Sequence, residues 1–320
     1  MTVSDRETSF EEIFELRRDH YNATVLAIRY VHSDLAILRV IPDEGPSHYH
    51  PGQYTTLGLG YWEPRVAHVQ PEELDEVHLR KMVRRAYSFS APMLDEQGKL
   101  VRPASCDFVE FYIVLIREGE DHPPGLTPRL FALTEGDRLH MGNKVTGHYT
   151  LDSVQPTDQV VFVATGTGEA PHNAMLAELL GRNHQGRIVT VTCVRKWNDL
   201  GYLEKYREIE NRYEQFRYIP CTTREPENLD QSLPNYKAKR YMQDYFDSGE
   251  FEEEAQLHLD PSTCHVFLCG NPAMIGAPPR ATPGNSPPDT PHGMVRVLQQ
   301  RGFTIDEPGK SGNIHFEKYW

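Results

Sequence analysis

The hydrophobic period of this chain changes near its midpoint, and that change limits what it can fold into. Up to about residue 150 the apolar residues fall in short β-favouring runs at 23–31, 35–40, 52–58, 86–90, 109–116 and 138–143. No helical period links these runs, which points to an antiparallel barrel or sandwich. Beyond the midpoint strands and helices alternate. Residues 159–164 form an apolar strand, 171–182 a helix whose buried stripe is Met175, Leu176, Leu179 and Leu180, and 187–195 a second strand. The stretches 202–214, 216–222, 236–247, 265–269 and 294–301 continue the alternation. Consecutive βα units imply a doubly wound parallel sheet. The expected fold is therefore β + α/β. A 1–20 extension precedes an antiparallel barrel domain over 21–153, and a parallel-sheet domain follows over 154–320. Residues 60–84 run from acidic to basic and read as an insertion with helical character. Residues 276–293 hold six prolines and three glycines and read as a structureless loop.

Composition narrows the functional classes. A chain of 320 residues suits two domains of ~150. Mean hydropathy is −0.58, and the longest apolar runs fall far short of the ~20 residues of a membrane-spanning helix. The first twenty residues are charged throughout, unlike a secretory signal, so a cytoplasmic, non-membrane protein is expected. The five cysteines (Cys106, Cys193, Cys221, Cys264, Cys269) include no C-x-x-C pair, so no metal or cysteine-ligated cluster is expected. Any iron–sulfur centre in its chemistry would sit on a partner. A net charge of −13 argues against nucleic acid.

Four short motifs carry the chemistry. In Arg85-Ala86-Tyr87-Ser88, strand alternation puts Arg85 and Tyr87 on one face and Ser88 on the other. An Arg fork suits a pyrophosphate and a Tyr ring suits stacking on an aromatic system. Alone, such a strand is one buried Tyr and one surface Arg. Gly166-Thr167-Gly168-Glu169-Ala170-Pro171 joins a strand to a helix. Small residues there let the backbone approach phosphates, the helix start gathers N–H donors, and Pro171 in the first turn costs little. Cys269-Gly270-Asn271-Pro272-Ala273-Met274 ends the last predicted parallel strand, where open α/β sheets bind ligands. The chain closes on Phe316-Glu317-Lys318-Tyr319-Trp320, two large aromatics where ends usually fray. Charge also bears on coenzyme choice. The second parallel strand ends in Arg195-Lys196 and the third in Thr223-Arg224, where NAD proteins commonly place an acid and Arg accommodates a 2′-phosphate.

Together, and in this order, these motifs resemble the ferredoxin–NADP reductase family from about Tyr21 to Trp320, and the Tyr-Trp ending resembles its bacterial members. The resemblance implies FAD on Arg85, Ala86, Tyr87, Ser88, Tyr112, Val114, Leu126, Thr127, Thr167, Tyr319 and Trp320. It implies NADP(H) on Gly166, Thr167, Gly168, Arg195, Lys196, Arg224, Cys269, Gly270, Asn271 and Met274, with Lys239 or Arg240 as a further 2′-phosphate contact. Ser88 and Glu317 would orient groups and deliver protons at flavin N5. Cys269 would position the nicotinamide, and Tyr319 would cover the flavin ring. The implied activity is electron exchange between NADP(H) and ferredoxin or flavodoxin by hydride transfer at N5. Arg80, Lys81 and Arg84, ahead of the flavin strand, would steer an acidic carrier despite the net charge. The alternatives are a reductase serving another carrier or an oxygenase, which usually carries a fused iron–sulfur or haem domain, and a non-catalytic subunit, which would lack NADPH diaphorase activity.

Overall fold

The computed structural model describes residues 10–45, 48–276, 292–307 and 309–319. The 276–293 loop lies almost entirely outside them, as do Trp320 and residues 1–9. Two compact units divide the chain. The first runs to Ser90 and resumes over Ala104–Gly147, and the second comprises Ala91–Pro103 and everything from His148. The segment Ala91–Pro103, placed above within the 21–153 domain, thus packs with the second unit.

The first unit is an antiparallel six-stranded sheet built from β1 (Ala23–His32), β2 (Leu35–Pro42), β3 (Tyr54–Gly60), β4 (Met82–Ser88), β5 (Val109–Val114) and β6 (Arg138–Met141). The order is β4-β3-β6-β1-β2-β5, and a bridge between Ser90 and Glu110 joins the two ends into a barrel. Val25, Leu38, Val40, Leu57, Leu59, Phe89, Phe111, Ile113 and Leu139 fill its interior. Two expectations change here. Residues 60–84 are mostly irregular, with helix only at α2 (Glu76–Leu79). Pro64 and Pro71 interrupt the first half of that stretch. And β4 starts at Met82, so Arg84 and Arg85 stand on a strand.

The extension contains α1 (Phe10–His20), whose Ile13 and Leu16 pack against the barrel core. Glu63 holds it there. Its buried carboxylate accepts from Arg17 (2.8 and 2.6 Å), the Tyr21 hydroxyl (2.8 Å) and Trp62 Nε1 (2.9 Å). The short α3 (Thr127–Leu130) follows β5.

The second unit is a parallel sheet in the order β11-β10-β7-β8-β9. Its strands are β7 (Gln159–Thr165), β8 (Ile188–Val194), β9 (Phe216–Thr222), β10 (Cys264–Gly270) and β11 (Ile314–Lys318). The helices are α4 (Glu169–Gly181), α5 (Leu203–Arg212), α6 (Pro226–Leu229), α7 (Met242–Asp247), α8 (Glu250–Ala255), α9 (Pro272–Ile275) and α10 (Met294–Gln300). The strands are apolar on both faces because helices cover both. Val161, Val163, Val189, Val191, Val266 and Leu268 share one core with residues of α7, α8 and α10. On the other face α4 packs Met175, Leu176, Leu179 and Leu180, but Ala170, Ala174 and Ala177 are buried as well. The helix is sunk into the unit rather than lying across its surface. The helix expected over 236–247 begins only at Met242. The strand β11 carries no strong apolar alternation and was not anticipated.

Replacing Glu63 with Ala strands four donor groups on three side chains, of which Tyr21 and Trp62 are largely buried, and should cost about 2–4 kcal/mol by chemical denaturation. Removing Glu204, an exposed partner of Arg207, should stay within about 0.5 kcal/mol. Equal effects of the two changes would show that Glu63 does not anchor α1.

Candidate active site

In the second unit β7 and β10 are parallel neighbours, with β8 continuing to one side and β11 to the other. Chain order reverses between them, which makes the crevice beyond their carboxyl ends the natural ligand position. The strand β7 ends at Thr165 and turns through a 3-10 turn, Gly166–Gly168, straight into α4. Gly166 has φ 53°, and a Cβ there would meet nothing within 4 Å, so its backbone faces open space. Gly168 lies so close to the Cys269 carbonyl that any Cβ would overlap it. Gly270 has φ 123° and presses on Thr165 in the same way. The Asn271 N–H donates to Thr165 Oγ1 (2.7 Å), and Asn271 Oδ1 caps α9 by accepting from Ala273 N–H (2.8 Å). The two Gly-rich motifs of the sequence are therefore interlocked.

The terminal motif joins them as an added strand. Cys269 is in register with Glu317, and the Tyr319 N–H donates to the Gly270 carbonyl (3.1 Å). Cys269 is fully buried; burial first, and then the Glu317 carboxylate, push its thiol well above the ordinary value, while a hydrogen bond with Tyr319 opposes. It is a protonated thiol at neutral pH, suited to packing and not to nucleophilic attack. Met274, expected on the coenzyme, instead sits in the hydrophobic core with α10 and β10.

At the far ends of β8 and β9 the exposed Arg195, Lys196 and Arg224 come together, because the Thr223 and Arg224 N–H groups both donate to the Arg195 carbonyl (3.4 and 2.8 Å). Trp197 presents a partly exposed ring beside them. Arg240 is engaged elsewhere: it pairs with Glu254 (2.9 Å) and Glu250 (3.4 Å) and lies over the Tyr245 ring (4.4 Å). Lys239 is exposed.

In the first unit the Ser90–Glu110 bridge brings the end of β4 beside β5. Arg85 and Ala86 are exposed, Tyr87 is half-buried with its ring edge-on to Phe111 (6.4 Å), and Ser88 is buried. Tyr112 is buried and Val114 half-buried on β5. Just past β5, the Ile116 N–H donates to Thr127 Oγ1 (3.1 Å), which fixes the start of α3 and Leu126 beside that strand. A residue the sequence reading passed over sets this turn. Arg129 is 2 % exposed and donates to the carbonyls of Gly125 (2.6 Å) and Tyr61 (2.9 Å) and to Glu72 (2.7 Å). Nothing in its sequence neighbourhood marks it as buried. Of the basic cluster, Arg80 pairs with Glu12 (2.7 Å), while Lys81 and Arg84 are exposed.

A second unforeseen feature lies under the Gly166–Gly168 turn. Glu169, 1 % exposed, accepts from Thr192 Oγ1 (2.7 Å) and the Tyr218 hydroxyl (3.3 Å) through Oε1. Burial pushes its carboxyl up to about 7, the two hydrogen bonds opposing. One turn on, the fully buried His172 meets the Tyr149 hydroxyl (2.7 Å) and stacks on Phe162, and burial pulls it down to about 3.

A parallel sheet with a Gly-rich switch point, following an antiparallel barrel, defines a two-unit nucleotide-dependent oxidoreductase fold. The sequence profile described as "Oxidoreductase NAD-binding domain" matches residues 162–278. The flavodoxin/ferredoxin–NADP reductase of Escherichia coli (strain K12) is 30 % identical over 227 residues, covering 70 % of this chain and 75 % of that one. The protein of the same name from Buchnera aphidicola subsp. Schizaphis graminum is 27 % identical over 93 % of this chain and 98 % of that one. Among solved structures, a ferredoxin NADP+ reductase from Neisseria gonorrhoeae with bound FAD and NADP superposes with a TM-score of 0.67 at 18 % identity, over 93 % of this chain and 97 % of that one. The chain belongs to the flavodoxin/ferredoxin–NADP reductase family.

The buried pair on α4 makes opposite demands on pH. Glu169 has a raised folded-state value, so its stabilising contribution is full below its ordinary 4.5 and is lost as pH climbs to about 7. His172 behaves in reverse, losing stability as pH falls from 6.5 towards 3. The variant Glu169→Gln should therefore gain on the parent between pH 5 and 7, by about 2–3 kcal/mol in total, and hold that lead above pH 7. Parallel stability curves for the two proteins would mean that the carboxylate is ionised within the fold.

Proposed function

We propose that the first unit binds FAD, that the second binds NADP(H), and that the chain is a ferredoxin–NADP reductase exchanging electrons with ferredoxin or flavodoxin. The observation that carries this reading is the interlock at the switch point, where the Gly166–Gly168 turn, Cys269–Asn271 and the terminal Glu317–Tyr319 meet in a chain of this family. The residues present fit the two groups. For the flavin there is the exposed Arg85 fork for a pyrophosphate, the half-buried Tyr87 ring, the Ser88 hydroxyl and the N–H groups of Leu126 and Thr127 at the start of α3. For the coenzyme there is open space over Gly166 at the start of a 13-residue helix, and a cluster of exposed cations for a 2′-phosphate.

Bound flavin supplies the exchange between one-electron and two-electron transfers that such a reaction needs. The protein supplies placement. The buried, protonated Cys269 offers a compact apolar wall for the nicotinamide, with Thr167 and Gly270 letting the backbone approach. Tyr319, held beside Cys269 by its bond to Gly270, keeps that position closed to water until the coenzyme enters, so part of the coenzyme's binding energy goes into moving it. Within the second unit Glu317 is the group able to hold and release a proton, and within the first unit Ser88 offers a hydroxyl at the end of β4. Arg195, Lys196 and Arg224 read the 2′-phosphate, with the exposed Lys239 a better-placed addition than the paired Arg240. Arg80, Lys81 and Arg84 present positive charge to an acidic carrier. Among the described residues no helix is long and apolar enough to cross a membrane.

Anaerobic addition of NADPH to the purified protein should bleach a flavin absorbance, and ferredoxin or flavodoxin should then be reduced. A colourless protein that takes up no FAD would overturn the function. Arg85→Ala removes a charge-assisted contact of about 1.5–3 kcal/mol, so FAD should dissociate at least ten-fold more readily on dilution.

Replacing Arg195 and Arg224 together with Ala should raise KM for NADPH by a hundred-fold or so and leave that for NADH nearly unchanged. Equal losses with both coenzymes would place the 2′-phosphate elsewhere.

A further inference from the structure

Glu169 stands where an acid is hard to explain by packing alone. It is the first residue of α4, it immediately follows the Gly166–Gly168 turn, and it is 1 % exposed. Only Oε1 is hydrogen-bonded; Oε2 is buried and has no hydrogen-bond partner among the described residues. A carboxylate with one bare buried oxygen is poorly satisfied, whereas the neutral acid leaves a much smaller debt. Among the described residues its hydrogen-bond partners carry no charge. Thr192 approaches from β8 and Tyr218 from β9, with Tyr206 of α5 stacked on Tyr218 (4.2 Å). His172, one turn along α4, is neutral. On α5, Glu210 accepts from the Tyr218 N–H and pairs with Arg217 (3.3 Å). Above the turn, by contrast, the coenzyme reading places an anionic pyrophosphate against the same helix start.

We propose that Glu169 is a proton-linked positioning residue, which takes up a proton from the buffer when the anionic nicotinamide coenzyme engages the Gly166–Gly168 turn. This rests on the coenzyme reading above and deepens it. An ionised Glu169 opposes the phosphates across a water-poor helix terminus, and the neutral acid does not, so coenzyme binding selects the protonated form. The free carboxyl already titrates near neutrality, at about 7. If the bound coenzyme lifts it by about one further unit, affinity falls about three-fold from pH 7 to pH 8, and about half a proton is taken up per coenzyme at pH 7.5. Coenzyme affinity would then follow the local pH through a group that never touches the coenzyme.

The test is titration calorimetry of the FAD-loaded protein with NADP+ at pH 7.5, in buffers of differing ionisation enthalpy, so that affinity and proton count come from the same experiment. The parent should take up about half a proton more than Glu169→Gln, a difference from which protons lost by the 2′-phosphate itself cancel. The affinity of the Gln variant should lack the three-fold decline between pH 7 and 8. Thr192→Val keeps the acid and deletes the hydrogen bond that favours its ionised form, so its affinity decline should move to higher pH; this variant decides the matter if Glu169→Gln does not fold. Equal proton counts and identical pH profiles in parent and variants, with normal NADP+ affinity, would overturn the proposal while leaving the coenzyme site intact. Absence of any NADP+ binding in the parent would overturn the coenzyme reading itself.

Discussion

The backbone of Gly168 runs against the carbonyl of Cys269, and that of Gly270 against Thr165, so closely that neither position can carry a side chain. The rest of the second unit depends on this crossing. It holds the ends of β7 and β10 together where the sheet reverses direction. It aims α4 into the unit at an angle that buries the helix on nearly every side. It also gives the terminal strand an edge to join, since β11 pairs with β10 residue for residue up to Gly270. A turn without side chains, placed where the sheet reverses, is also the kind of surface that phosphates and an aromatic ring can approach.

The first unit reaches its own site by a different route. A barrel has no crevice at a switch point, and the candidate groups instead come together where the sheet closes. The bridge from Ser90 to Glu110 brings the end of β4 beside β5, and Arg129 fastens the turn into α3 by bonding two carbonyls from separate loops. A fully buried guanidinium is costly unless every donor is used; its ion pair with Glu72 and its position over the Tyr61 ring answer most of that cost. Arg129 is thus structural where Arg85, exposed on β4, is available to a ligand.

Much of this was legible in the sequence because it follows from period and punctuation. The change from short β runs to alternating strands and helices separates the two kinds of sheet, and glycines beside strand ends mark the switch point. What stayed hidden depends on burial and pairing over long distance. Glu63 reads as one more acid in a charged chain, yet its four hydrogen bonds convert the N-terminal extension into a docked helix. Arg240 reads as a spare cation, yet Glu250 and Glu254 of α8 claim it. Met274 fits its motif, but the helix it belongs to turns it into the core. The strand β11 is too short and too mixed to announce itself: it is held by backbone pairing with β10, with Ile314 and Phe316 reaching the core.

The polar groups under α4 show what burial of a whole helix entails. An amphipathic helix would leave its first turn in water, where an acid is welcome beside the N–H dipoles. Sinking α4 removes that water, so desolvation outweighs the dipole and Glu169 is pushed towards its neutral form, while His172 loses its charge by the same mechanism with the opposite sign. Both residues are then hydrogen-bonded as neutral groups to tyrosines, Tyr218 for the acid and Tyr149 for the imidazole. An isosteric amide or aromatic would serve packing equally well at either position. The carboxyl adds an equilibrium that sits near neutral pH, directly after the turn whose Gly166 faces open space. The same loss of water that keeps the acid neutral would leave little to screen it from any anion proposed above the turn.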